Sequence, residues 1–163
     1  MKIAIASDLH DHQEHLTWFL EECKKRNITQ CYFLGDMIRP TLAKVLFQSL
    51  KTHFIFGNND GDHVRTMRFA TPETKIADYC FDELTVNEKQ VFLTHYPLLA
   101  ENAARSGKYD AVFYGHDHTK HEERLDKTLL VNPGELAGFV TGIISFYVWD
   151  THNNVGEFIV KKQ

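Results

Sequence analysis

The sequence predicts an α/β domain of two packed sheets with helices outside. Three observations carry this: strand-length apolar runs alternate with helical periodicities early in the chain, hairpin signals dominate its second half, and no linker, repeat or low-complexity tract divides the 163 residues. A chain of this length buries roughly 70% of the surface its unfolded form exposes, enough for one domain over residues 1–163 without staples.

Residues 2–6 read as a short apolar strand. Residues 12–26 carry Leu16, Phe19, Leu20 and Cys23 at helical spacing, with Asp11 or His12 at the start and Asn27 closing the helix. The unit repeats as a strand at 31–34, a helix at 40–51 with Leu42, Val45, Leu46 and Leu50 on one side, and a strand at 53–56. Strands alternating with helices of this length predict parallel pairing. Residues 76–86 and 89–94 then form a hairpin around Asn87-Glu88, 98–105 is the only late helix, and 110–114 is a strand. Residues 122–131 hold a second hairpin around Asp126-Lys127, and 143–149 pairs with 156–160 across residues 151–154.

Cys23, Cys31 and Cys80 are odd in number and widely spaced in apolar segments, so they read as buried thiols in a reducing compartment, not as a disulfide framework or a zinc site. The first apolar run stops at Asp8, short of a signal-peptide core of about 7 to 15 residues or a membrane span of about 20. The expected localisation is cytoplasmic, with no membrane partner. A net charge of −4 with scattered basic residues lacks the electrostatic footprint of an extended nucleic-acid surface. A homo-oligomer stays compatible with this composition.

The informative pattern lies in the residues just past each apolar run. The first strand ends in Ser7-Asp8-Leu9-His10, the second in Gly35-Asp36, the third in Gly57-Asn58-Asn59-Asp60, and two later ones in Thr94-His95 and Gly115-His116-Asp117-His118. Carboxyl ends of strands line the crevice of an α/β sheet, so these side chains gather there. In extended chain, residues i and i+2 point one way, which pairs Asp8 with His10 and His116 with His118, and turns Asp117 away as a supporting acceptor or a solvated residue. Gly35, Gly57 and Gly115 each precede a candidate ligand, where a missing side chain permits close backbone approach. Seven candidates, Asp8, His10, Asp36, Asn58, His95, His116 and His118, are too many for one four-coordinate ion but suit two if a carboxylate bridges. Asp36, alone in its loop, is the natural bridge. Nitrogen and oxygen donors without thiolate favour Mn2+ foremost, with Fe, Zn2+ or Ni2+ also suited.

The ordered series DLH, GD, GNND, TH and GHDH, spanning nearly the whole chain, resembles the calcineurin-like metallophosphoesterases, and the short, cap-free length resembles their small bacterial and archaeal phosphodiesterases. The resemblance implies a four-layer α/β/β/α sandwich with two mixed sheets and a dinuclear site. It implies one metal on Asp8, His10 and His118, another on Asn58, His95 and His116, and Asp36 joining them. It also implies hydrolysis of a small phosphodiester by in-line attack of a hydroxide held between two divalent ions.

Many larger members carry histidine where this chain has Asn59, a catalytic candidate whose amide can hydrogen-bond but supplies no titrating proton. Activated aryl phosphodiesters are therefore expected to turn over faster than alkyl monoesters. Arg39 is a candidate for a phosphate oxygen through its fork of donors, and His12, two residues past His10, is another catalytic candidate. Asn132-Pro133-Gly134 resembles the late turn of the family. His15, His53, His63, His121 and His152 match no motif and read as surface or hydrogen-bonded residues. Three rival readings share the fold: a retromer-type scaffold with little or no catalysis, a nuclease, and a cyclic-nucleotide phosphodiesterase.

Overall fold

The computed structural model describes residues 1–162. In β1 (Lys2–Ala6) the period of two sorts a single strand between two cores. Ala4 and Ala6 pack with helical residues, whereas Ile3 and Ile5 pack with residues of the second sheet. The next helix, α1 (Gln13–Lys25), buries Leu16, Phe19 and Cys23, and Asn27 leaves it in a left-handed conformation at φ 54°. The unit repeats through β2 (Gln30–Phe33), α2 (Pro40–Ser49) and β3 (Lys51–Phe54). The strands β1, β2 and β3 pair in parallel.

Most elements fall within a residue or two of the ranges read in the sequence, and the larger differences have local causes. The third strand starts at Lys51 because Leu50 is already extended and the Lys51 N–H bonds to Thr29 O at 3.0 Å. A short helix, α3 (His63–Arg68), was not expected; the Asp62 side chain caps it by accepting from Arg65 N at 3.0 Å. The strand expected over 76–86 is two strands in different sheets. Of these, β4 (Thr74–Ile76) pairs with β3, and β5 (Phe81–Val86) opens the second sheet. The crossing at 77–80 has no glycine or proline to mark it, and Ala77 N still bonds to Phe54 O at 2.9 Å, so the break is hidden from periodicity. Cys80 lies on this crossing and is exposed, contrary to the buried thiol expected; Cys23 and Cys31 are buried. Burial pushes the Cys23 thiol up to about 12, so it stays protonated.

The second half follows as β6 (Lys89–Thr94), α4 (Pro97–Arg105), β7 (Ala111–Phe113), β8 (His121–Leu125), β9 (Thr128–Asn132), β10 (Ser145–Asp150) and β11 (Val155–Val160). Asn87 (φ 46°) and Glu88 (φ 65°) supply the two left-handed residues that a tight hairpin needs. The first sheet has the order β11-β10-β1-β2-β3-β4 and the second β5-β6-β7-β9-β8. Both mix parallel and antiparallel pairs.

Helices α1 and α2 cover the outer face of the first sheet, and Phe92, Val112 and Leu130 of the second sheet meet Ala100 and Ala104 of α4. Between the sheets lie Ile5, Tyr32, Leu93, Phe113, Tyr147 and Trp149. This is the four-layer α/β/β/α sandwich with two mixed sheets. The parallel strands of both sheets end at one rim. Among the described residues, no helix is long and apolar enough to cross a membrane.

Phe113 is fully buried between the sheets with its ring 5.1 Å from that of Trp149. Phe113→Ala is expected to destabilise the chain by about 3 to 5 kcal/mol in urea unfolding, through lost burial and a residual cavity. Val64→Ala, at a position 58% exposed, is expected to change stability by less than about 0.5 kcal/mol.

Candidate metal centre

Six loops meet at the rim, following β1, β2, β3, β6, β7 and β9, and they meet backbone to backbone. Asp8 N bonds to Gly35 O, Leu9 N and His10 N to Asp36 O, Gly115 N to His95 O, and Ala137 N to Asp8 O. Such closeness leaves no room for side chains at the glycines that precede the polar residues. At Gly35, φ is +100°, and a Cβ would lie 2.7 Å from Gly57 Cα and from His95 Nδ1. A Cβ at Gly57 would overlap the Asp36 carboxylate, and one at Gly115 would overlap Ser7 Oγ.

The packed loops bring lone pairs face to face. Asp36 Oδ2 lies 3.5 Å from His10 Nε2 and 3.5 Å from His95 Nε2. His95 Nδ1 is 2.7 Å from Leu34 O and donates to it, which leaves the Nε2 of a neutral ring as an acceptor facing Asn58 Oδ1 at 3.0 Å. His116 Nδ1 approaches the same Asn58 oxygen at 2.8 Å and His95 Nε2 at 3.3 Å. Likewise His118 Nδ1 donates to Glu135 Oε2 at 2.8 Å, so its Nε2 points a lone pair at Asp8 Oδ1, 3.4 Å away. Asp8 Oδ1 and His10 Nε2 are buried without a hydrogen-bond partner.

Acceptors gathered this closely require protons or cations among them. Ligand atoms of Asp8, His10 and His118, and again of Asp8, Asp36 and His95, lie within 4.8 Å of one another. Four imidazoles, two carboxylates and an amide oxygen are donors suited to divalent transition metals, so these residues fit such ions.

The protonation pattern has the same cause. Burial alone would raise Asp36, but His95 and both the backbone N–H and side-chain amide of Asn59, at 2.8 and 2.7 Å, hold it well below the usual carboxylate range. His10 is raised because the Asp8 carboxylate faces it and outweighs burial, with Asp36 adding to the effect. Burial pulls His95 down, yet the Asp36 and Asp8 carboxylates raise it overall.

Two buried carboxylates to which the sequence assigned no role hold the loops together. Asp60 accepts from Asp36 N (2.9 Å), Ile38 N (2.7 Å) and Gly57 N (2.8 Å), tying the loops after β2 and β3; its burial outweighs these donors and raises its pKa. Glu135 receives His118 and the backbone N–H groups of Phe139, Val140 and Thr141. Both had a signal available: Asp60 ends the GNND run, and Glu135 is a lone carboxylate in the apolar stretch after Pro133-Gly134. The turn at 132–134 does reach the rim, since Asn132 Nδ2 donates to Gly115 O (3.1 Å) and Asp117 Oδ1 (2.7 Å).

The seven expected ligands therefore converge, but not by strand alternation. Asp8 (φ 55°), His10 (φ 45°), Asp36 (φ 57°), His116 (φ 77°) and His118 (φ 63°) are all left-handed, so tight turns aim them and the i, i+2 argument fails. Asn59 spends both donors on Asp36. Arg39 is half-exposed and pairs with Asp11 at 3.7 Å on the rim. His12 is the N-cap residue that starts α1, stacked on His15 with ring centroids 4.8 Å apart. Of the histidines read as non-ligands, His53 bonds to Asp82, His63 to Asp60 O and His121 to Tyr114; His15 packs on His12, and His152 is exposed.

The sandwich and its polar rim define a phosphoesterase of the calcineurin-like class: the chain belongs to the calcineurin-like phosphoesterase superfamily, whose domain matches residues 1–154. It is similar to phosphodiesterase MJ0936 of Methanocaldococcus jannaschii, 34% identical over 157 residues that make up 93% of each chain. A solved archaeal phosphodiesterase superposes with a TM-score of 0.90 at 32% identity, covering 99% of this chain and 100% of that one. The E. coli phosphoesterase YfcE shares the fold at a TM-score of 0.70 and 18% identity, covering 99% of this chain and 100% of its own.

The raised histidines set a pH dependence for the metal-free protein. A pKa above the unfolded value of 6.5 means the native state binds more protons, so the stability that His10 and His95 contribute is full below 6.5 and is lost as pH rises through their native values. His15 and His53 are lowered, chiefly by burial, and change only below 6.5. Chelator-treated protein is expected to show a Tm that falls as pH rises above about 6.5. A flat Tm there would show that the two rings carry no extra protons.

Proposed function

We propose that this chain hydrolyses small phosphodiesters at two divalent cations, Mn2+ foremost, with residues 1–163 acting as one phosphoesterase domain in the cytoplasm. The observation that carries this reading is the position of Asp36 Oδ2, 3.5 Å from a histidine nitrogen of each half of the cluster. Asp8, His10 and His118 would hold one ion and Asn58, His95 and His116 the other, with Asp36 between them. When bound, such a pair supplies positive charge for the phosphoryl oxygens and nucleophilic water near neutral pH.

The chain's own residues do the positioning. Leu34 O and Glu135 keep the proton of His95 and of His118 on Nδ1, so each Nε2 lone pair points inward. Asn59 fixes both oxygens of Asp36. Asn58, Asn59 and His116 are exposed, so the open side of the cluster, where a diester enters, lies along them. Arg39 stands at the rim with its fork of donors available to a phosphate oxygen once it leaves Asp11. With the amide of Asn59 committed to Asp36, His12 is the titratable side chain we assign to proton delivery at the leaving oxygen. Sequence kinship to a phosphodiesterase at 34% identity supports the diester over the monoester.

Protein loaded with Mn2+ is expected to hydrolyse bis(4-nitrophenyl) phosphate faster than an alkyl phosphate monoester, and chelator is expected to abolish turnover. Asp36→Asn is expected to lower kcat/KM by about 100-fold or more and to weaken both ions in elemental analysis. Unchanged turnover in this variant removes the bridging role of Asp36, and full activity in chelator removes the metal.

A further inference from the structure

We propose that Phe139 is a fixed aromatic shelf beside the centre, which selects phosphoesters carrying a planar aromatic group. This rests on the proposed phosphoester chemistry and adds a substrate class to it. Phe139 is 64% exposed and Val140 68%, an unusual place for large apolar side chains in a loop at a polar rim.

Their loop is nevertheless held firmly. The buried Glu135 carboxylate accepts from Phe139 N (2.8 Å), Val140 N (2.9 Å), Thr141 N (2.7 Å) and Thr141 Oγ1 (2.9 Å). The same carboxylate takes the His118 Nδ1 proton at 2.8 Å, so one buried group sets both a cluster histidine and the aromatic loop. The Phe139 ring lies 5.8 Å from the His10 ring and meets the His12 ring edge-on at 4.7 Å. His12 is in turn stacked on His15, which props Phe139 from one side. An aromatic ring ordered in advance loses little entropy when a ligand stacks on it. Its distance from His10 puts it within reach of the substituent on a phosphoryl group held at the cluster. Flat rings gain from such stacking, and short alkyl groups do not.

The test compares ligands that share a phosphoryl anchor and differ in the attached group. Dissociation constants of phenylphosphonate and methylphosphonate, and of adenosine 5′-monophosphate and ribose 5-phosphate, are measured by calorimetry on Mn2+-loaded protein. Wild type is expected to prefer the aromatic member of at least one pair by about tenfold. The pair that shows it tells a small aryl group from a nucleobase. Phe139→Ala is expected to bring the ratio near one, and Phe139→Trp to restore it, with metal content checked in each variant.

No preference in either pair, or a preference that survives Phe139→Ala, overturns the shelf. If wild type hydrolyses no diester but keeps the preference, the proposed reaction fails and the shelf stands. If it hydrolyses diesters without any preference, the shelf fails and the reaction stands.

Discussion

The constraint on which this molecule depends is the burial of two carboxylates, Asp8 and Asp36, side by side at one rim. An isolated buried carboxylate would take up a proton. Here Asn59 donates to both oxygens of Asp36 and holds it ionised, and Asp8 Oδ2 accepts from His116 N at 3.0 Å. The rim loops can be understood as the backbone arrangement that brings enough donors and imidazoles to these two groups.

That arrangement has a cost in the backbone. Five of the seven clustered residues are left-handed without being glycine, a conformation that costs about 1 to 3 kcal/mol each. The surrounding structure offsets it with buried acceptors. Asp60 takes three backbone N–H groups and Glu135 another three, so strained turns are held by charged hydrogen bonds and not by packing alone. The glycines then let neighbouring turns touch, as Gly35 does against Gly57 and His95.

Much of this was legible in the residues, for a physical reason. Both faces of the central strands are buried, so Ile3, Ile5, Ala4 and Ala6 form an unbroken apolar run, and the first polar residues after such a run mark the rim. What the sequence hid was of two kinds. The crossing at 77–80 carries no glycine or proline, and its single charge, Asp78, fits a strand's alternation, so two strands read as one. The aim of each side chain depends on turn conformation, which composition does not encode: DLH and GHDH reach the centre through left-handed turns. Asp60 and Glu135 were visible as letters, but Asp60 works on backbone N–H groups of the distant loop after β2, and Glu135 on its own loop and on His118, which their positions in the sequence do not state.

The division of the cluster between the sheets has a mechanical corollary. Asp8, His10, Asp36 and Asn58 extend from the first sheet, while His95, His116 and His118 extend from the second. Neither sheet owns a complete half of the cluster, since His118 sits with Asp8 and His95 with Asp36. Any cation seated there works as a clasp across the sandwich, resisting the sliding of one layer over the other. The centre thus comes into being only on the docking of the two layers, and its affinity for an ion reads out how well they have closed.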